Sequence, residues 1–222
     1  NIPLLYRGRM LVTVYDLFHL AMPGLVGGFH KTLYARLMFN AVRWKADAII
    51  TISNFTKDEL ILLSGKIRQP IYPIHLGVDK SWFDVKPTGN PHHKPYLLYV
   101  GNVKPHKNLS ALLEAFGSLQ NDIPHDLLIV GKKEGFITGD VKTMHAAKFQ
   151  ERVKFTGYVT DAMLMQYVAN ADAFVFPSFY EGFGLPPLEA MAAGCPVIVA
   201  NAASLPEICG NAALYCDPHQ PT

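Results

Sequence analysis

The stretch Ala171-Asp-Ala-Phe-Val-Phe-Pro177, followed by Glu181-Gly-Phe-Gly-Leu-Pro-Pro-Leu-Glu189-Ala-Met-Ala-Ala-Gly194-Cys-Pro-Val-Ile-Val-Ala200, decides how this chain folds. The first run reads as a buried strand. Pro186 and Pro187 suit the first turn of a helix, where an N–H has no partner anyway. Leu188, Met191 and Ala192 then supply an apolar face. Gly194 is placed to end the helix as a left-handed cap, and Pro196 blocks its continuation. Residues 196–200 read as the next buried parallel strand. The unit is therefore strand, glycine loop, helix, strand. A helix start beyond a glycine loop offers free N–H groups and a dipole to an anion. Glu189, one turn in, is placed to accept hydrogen bonds from neighbouring hydroxyls, and Glu181 lies in the loop. The plain alternative is a tight loop with two solvated glutamates.

Working outward, the same alternation recurs. Strands are predicted at 96–100, 126–130 and 152–156, with helices at 109–119, 141–150 and 161–169. Before them, 11–16, 46–52 and 71–76 read as strands, 31–45 and 53–59 as helical. In the helix 31–45 the spacing gathers Leu33, Leu37, Met38, Val42 and Trp44 mostly on one side, as a core stripe. Between the two series, 86–95 holds three prolines and no apolar periodicity, and reads as a linker. Repeated strand–helix units predict parallel sheets, with ligands at the carboxyl ends of the strands.

Three further loops fall at such ends. Gly101-Asn102-Val-Lys104-Pro-His-Lys107 and Gly131-Lys132-Lys133 combine glycine with lysines suited to phosphate, and Gly157-Tyr158-Val159 offers exposed backbone able to pair with a base edge. Each alone also fits an ordinary surface turn.

The totals set bounds. The chain has 222 residues, 50% of them apolar, with a formal charge of +2 and nine histidines uncounted. That charge does not argue for nucleic acid. Cys195, Cys209 and Cys216 lack metal-ligand spacing and read as small apolar residues of a reducing compartment. No paired His/Cys ligands predict a metal, and neither dinucleotide nor P-loop glycine fingerprints are present. No apolar run reaches the ~20 residues that span a bilayer. Lys31, Arg36, Arg43 and Lys45 on one amphipathic helix fit either an anionic membrane surface or a plain solvated face. With Asn1 first and a loop-like 217–222 last, the chain reads as a fragment cut at both ends.

From about Val12 onward the chain resembles retaining glycosyltransferases of family 4, in the glycosyl transferases group 1. Residues 170–189, with Ser204-Leu-Pro-Glu-Ile-Cys-Gly-Asn-Ala-Ala213, carry the resemblance. It implies the glycosyltransferase B fold, two Rossmann-like α/β domains facing a cleft. Here 1–85 would be the latter half of the acceptor-side domain, and 96–222 the donor-binding domain without its last helices. Carried over by position, Lys107 and Glu181 are the catalytic residues: Lys107 binds the donor diphosphate, and Glu181 contacts the donor sugar and phosphate or serves as nucleophile in a two-step route. Phe183, Gly184 and Leu185 give backbone contacts, and Glu189 binds the ribose. Val159 with Tyr158 lies against the base, and Ser53 and Gly77 line the cleft. Gly101, Asn102, Lys104, Gly131 and Lys132 complete the donor set. Two departures stand out. Asn102 replaces a frequent Arg, with Lys104 as compensation, and Tyr15-Asp16 replaces a frequent His-Asp, with His19 as a substitute. The resemblance further implies a nucleotide-diphosphate sugar, GDP-mannose or a UDP-sugar, with no cofactor, and a glycan or lipid-linked acceptor. Bacterial surface polysaccharide or lipopolysaccharide assembly would be the setting, in the cytoplasm or at the inner face of the plasma membrane. A non-catalytic donor-binding remnant, an epimerase, and a sucrose- or glycogen-type synthase are the alternatives.

Overall fold

The computed structural model describes residues 2, 3, 5–131 and 151–220. By its contacts the chain divides into two units: Asn1–Gly77 with Tyr180–Gly184, and Val78–Phe179 with Leu185–Thr222. The expected helix at 141–150, Lys132 and Lys133 lie outside the described residues.

The first unit carries β1 (Leu11–Val14), α1 (Phe18–Ala21), α2 (Pro23–Val26), α3 (Phe29–Lys45), β2 (Ala48–Thr51), α4 (Asn54–Ser64) and β3 (Ile71–Pro73). Its strands form a parallel sheet in the order β1-β2-β3. Val14, Leu17, Val42, Ala46, Ile49 and Leu60 make its core. α4 starts because Ser53 is extended and its Oγ accepts from Thr56 N at 3.0 Å; it stops at Gly65, φ 73°.

The face expected to be buried on α3 is not the one that is. Thr32, Ala35 and Val42 are its buried residues, whereas Leu33, Leu37 and Trp44 are exposed at 45%, 57% and 75%. Among the described residues the sheet has three short strands, and it selects the narrow line of small and β-branched residues. The larger apolar residues occupy a different face of the helix.

The second unit holds α5 (Ser81–Asp84), β4 (Tyr96–Val100), α6 (Leu109–Leu119), β5 (Asp126–Val130), β6 (Val153–Gly157), α7 (Asp161–Ala169), β7 (Ala173–Phe176), α8 (Leu185–Ala192), β8 (Val197–Ala200), α9 (Leu205–Cys209) and β9 (Leu214–Cys216). The strands run parallel in the order β6-β5-β4-β7-β8-β9. Alternate side chains feed two cores. Tyr96, Leu98, Leu128, Phe174 and Phe176 enter one, and Tyr99, Leu127, Ile129 and Val175 enter the other with Phe116 of α6. α8 buries Pro187 and Ala190, with Met191 and Ala192 half-buried against the first core.

The proline-rich segment 86–95 has no regular structure but is fastened down. Gln166 of α7 donates to Lys86 O at 3.1 Å and accepts from Thr88 Oγ1 at 2.8 Å. His92 Nε2 lies 2.7 Å from Asp126 Oδ2, a carboxylate also met by Arg152 at 3.5 Å and Lys94 at 3.8 Å.

Candidate functional site

Numbered within its own sheet, the second unit has the strand order 3-2-1-4-5-6, which reverses direction between β4 and β7. A crevice opens beyond the carboxyl ends of strands at such a point. The segments that follow these strands are 101–108 after β4 and, after β7, the chain leading to α8.

Glycine sets how close the strand ends come. Gly101 N donates to Val130 O at 3.0 Å and Gly131 N to Gly157 O at 3.1 Å. A Cβ on Gly131 would sit 2.2 Å from Gly101 O, and its φ of 149° disfavours side chains as well. Three of the glycines picked out in the sequence therefore meet at one sheet edge. Asn102 and Lys104 are exposed beyond it. A 3-10 turn, Pro105–Lys107, then leads to Asn108, which is buried and left-handed with φ 54°. Its Nδ2 donates to Pro177 O at 3.2 Å and Pro218 O at 2.8 Å. Phe179 N donates to His106 O at 2.8 Å. The loop after β4 is thus tied to the loop after β7. Lys107 Nζ stands 5.1 Å from the Phe176 ring centre, a cation–π distance. Burial, then Lys107 and Lys104, push the His106 imidazole down to about 4. It is neutral near pH 7, so the loop's cations are its lysines.

α8 begins at Leu185, with Pro186 and Pro187 in its first turn. Of the first three residues of this helix only Leu185 carries a backbone N–H, since Pro186 and Pro187 have none; that amide sits at the positive end of the helix dipole. Glu189 is half-buried on this helix. Burial first, and the Asp161 carboxylate second, raise its pKa above the ordinary glutamate value. A hydroxyl donor would compensate that lost hydration. Val159 is half-buried against the core, and Tyr158 is 80% exposed.

Glu181, Phe183 and Gly184 lie in the segment that groups with the first unit. The Tyr180 hydroxyl accepts from Leu17 N at 3.1 Å and donates to Glu59 Oε2 at 3.0 Å. Its ring lies 5.9 Å from Phe18 and 5.6 Å from Phe55. Burial first, then Glu59, raises the phenol's pKa and keeps it a donor. Gly182 O accepts from Ser53 Oγ at 2.7 Å and Thr56 Oγ1 at 3.1 Å. A Cβ on Gly182 would fall 2.0 Å from Tyr15 O. Phe183 is buried, with the His75 ring at 5.7 Å. Glu181 is therefore held from both sides. Ser53 makes a direct bond to the loop, and Gly77 is exposed with open space beside it. Tyr15, Asp16 and His19 line a cavity of about 610 Å³ together with Tyr34 and Met38.

The sequence reading missed Tyr180, Glu59, Thr56, Asn108 and His106. Asn108 had a signal, since asparagine tolerates the left-handed region just before a helix. The Tyr180–Glu59 pair spans 121 residues and had none. Among the described residues no cluster of His, Cys, Asp or Glu could hold a metal. No described helix is long and apolar enough to cross a membrane.

The fold is that of the glycosyltransferase B class: Rossmann-like parallel α/β units with lysines and a helix start at the switch point. The model for glycosyl transferases group 1 matches residues 80–222, and the chain belongs to that family. The chain is 30% identical over 224 aligned residues to O-antigen chain mannosyltransferase B of Escherichia coli, covering 95% of this chain and 58% of that protein. It is 29% identical to O-antigen chain mannosyltransferase RfbU of Salmonella typhimurium, covering 98% and 59%. It thus spans well under two thirds of these relatives' length. Sucrose-phosphate synthase from Thermosynechococcus elongatus superposes with a TM-score of 0.78 at 23% identity, over 98% of this chain and 57% of that one. Anabaena Alr3699/HepE, in complex with UDP and glucose, gives 0.77 at 20%, over 96% and 59%.

Proposed function

We propose that the chain binds a nucleotide-diphosphate sugar and serves in retaining transfer of a hexose to a glycan or lipid-linked acceptor. The observation that carries this reading is the switch point of the second sheet. There the β4 loop with Lys104 and Lys107 is tied to the chain after β7, which leads into α8 and its half-buried Glu189. Lysine, the Leu185 N–H and the positive end of the α8 dipole suit a diphosphate, and a desolvated carboxylate suits a ribose diol. Gly101, Asn102, Gly131 and Lys132 are assigned to the phosphate side, Tyr158 and Val159 to the base. Glu181 is assigned to the sugar, with backbone contacts from Phe183, Gly184 and Leu185.

In the reaction the anomeric C–O bond breaks and its electron pair leaves on the diphosphate. Lys107, the Leu185 amide and the α8 dipole stabilise that developing charge. The acceptor oxygen forms the new bond on the face just vacated, and its proton passes to the departing phosphate oxygen. Mannose, carried by GDP, is the sugar we favour, with surface polysaccharide assembly as the setting. The names of the two O-antigen relatives support it.

Calorimetric titration of GDP, UDP and ADP tests the donor site. We expect one nucleotide to be preferred, with affinity falling about tenfold in Glu189→Ala and in Lys107→Ala. A folded chain that binds none of the three overturns the reading.

A further inference from the structure

The face of α3 turned away from its sheet carries four large apolar residues, with exposed Asn40 between Leu37 and Trp44. Phe29, Leu33, Leu37 and Trp44 are exposed at 77%, 45%, 57% and 75%. Their spacings of four, four and seven residues put all four on one line along the helix. Exposed apolar residues scattered singly need no explanation, but four aligned along one helix face do. Buried Thr32, Ala35 and Val42 occupy another side, so the stripe is not a displaced core face.

The charge on α3 itself is of one sign. The 17 residues of α3 include Lys31, Arg36, Arg43 and Lys45 and no Asp or Glu. Arg36 is exposed beside Leu33 and Leu37. Arg43 lies 5.7 Å from the Trp44 ring and donates to Ser64 O. That bond brings the end of α4 alongside, where Ile61 and Leu62 are exposed and Lys66 and Arg68 follow. An amphipathic helix with aromatic and leucine side chains on one face, flanked by long cations, matches the interface of an anionic bilayer. Apolar side chains enter the acyl boundary there, and cations meet headgroup phosphates. A protein partner for α3, with four cations and no carboxylate, would have to be acidic along that helix.

We infer that this face of α3 docks on an anionic lipid surface, with Phe29, Leu33, Leu37 and Trp44 inserted and Arg36 and Arg43 at the headgroups. The inference is independent of the donor site, since lipid binding is read with no nucleotide present.

The chain carries its own reporter. Of its two tryptophans, Trp82 is buried at 6% exposure and Trp44 is exposed. Vesicles of phosphatidylcholine alone are compared with vesicles containing phosphatidylglycerol, by tryptophan emission and co-sedimentation. We expect a blue shift and pelleting with the anionic vesicles only, weakened by salt. The double variant Leu33→Glu/Leu37→Glu should lower partitioning at least about tenfold. Both positions are exposed, so its circular dichroism should match the parent. Arg36→Gln should weaken binding without changing the wavelength reached at saturation. Absence of any shift or pelleting with anionic vesicles overturns the inference, as does equal binding by the double variant. A blue shift that grows with protein concentration in the absence of lipid would assign the face to a second copy of the chain and likewise overturn it.

Discussion

On the proposed reading, Glu189 serves binding at the expense of stability. Its pKa is raised by burial and by Asp161, so the folded state holds its proton to higher pH than the unfolded state. Stability therefore falls as pH rises through the window between the two pKa values, and the ionised group costs stability above it. Glu189→Gln should raise the melting temperature at neutral pH while weakening the preferred nucleotide. Nucleotide affinity in the parent should decline on acidification sooner than an exposed glutamate would dictate, and this decline should be absent in Glu189→Gln. Calorimetry across pH checks both. Gly182 poses the opposite case, in which a missing side chain is the requirement. A methyl group there would meet Tyr15 O at 2.0 Å, backbone that cannot step aside. Gly182→Ala should cost about 3 kcal/mol in urea denaturation, and should release the Ser53 and Thr56 bonds that hold Glu181's neighbour.

At the scale of elements, what organises the switch point is a set of ties between loops. Asn108 combines three tasks: a left-handed turn, the residue before α6, and an amide shared by Pro177 O and Pro218 O. Asn108→Ala loses both hydrogen bonds and forces a Cβ-bearing aliphatic residue to positive φ. It should destabilise by about 2–4 kcal/mol. Asn108→Gly keeps the backbone conformation and should recover part of that loss. Comparing the two by chemical denaturation separates backbone strain from hydrogen bonding. Position 108 was legible as the start of a helix; its ties to residues 177 and 218 were not, because nothing local records a partner 69 or 110 residues away.

At the scale of the whole chain, the two units differ in how much they bury. The first relies on three short strands and a small core. The second covers both faces of a six-stranded sheet. Apolar burial is the main source of local stability. Backbone amides of β1 to β3 should therefore exchange with deuterium well before those of β4, β5 and β7. Uniform protection across both sheets would contradict this. Thiol chemistry should follow the same gradient. Burial pushes Cys195 and Cys209 up to about 11, so both should resist thiol reagents at neutral pH until the second unit opens.

The parallel α/β architecture could be read without any structure. Apolar runs at 96–100 and 126–130, the glycine after each strand, and the prolines opening α8 are local features, and strand and helix formation answer to local pattern. The glycine loops, Lys107 and Glu189 were legible for the same reason: a sheet's carboxyl edge follows from strand order along the chain. Facing was another matter. The periodicity of α3 supplied enough apolar residues for two sides, and only packing against β1 and β2 chose Ala35 and Val42 over Leu37 and Trp44. The grip of Tyr180, Ser53 and Thr56 on the Glu181 loop was likewise decided in three dimensions. It joins groups more than a hundred residues apart, and hydrogen bonds between distant side chains depend on where the backbone has already been carried.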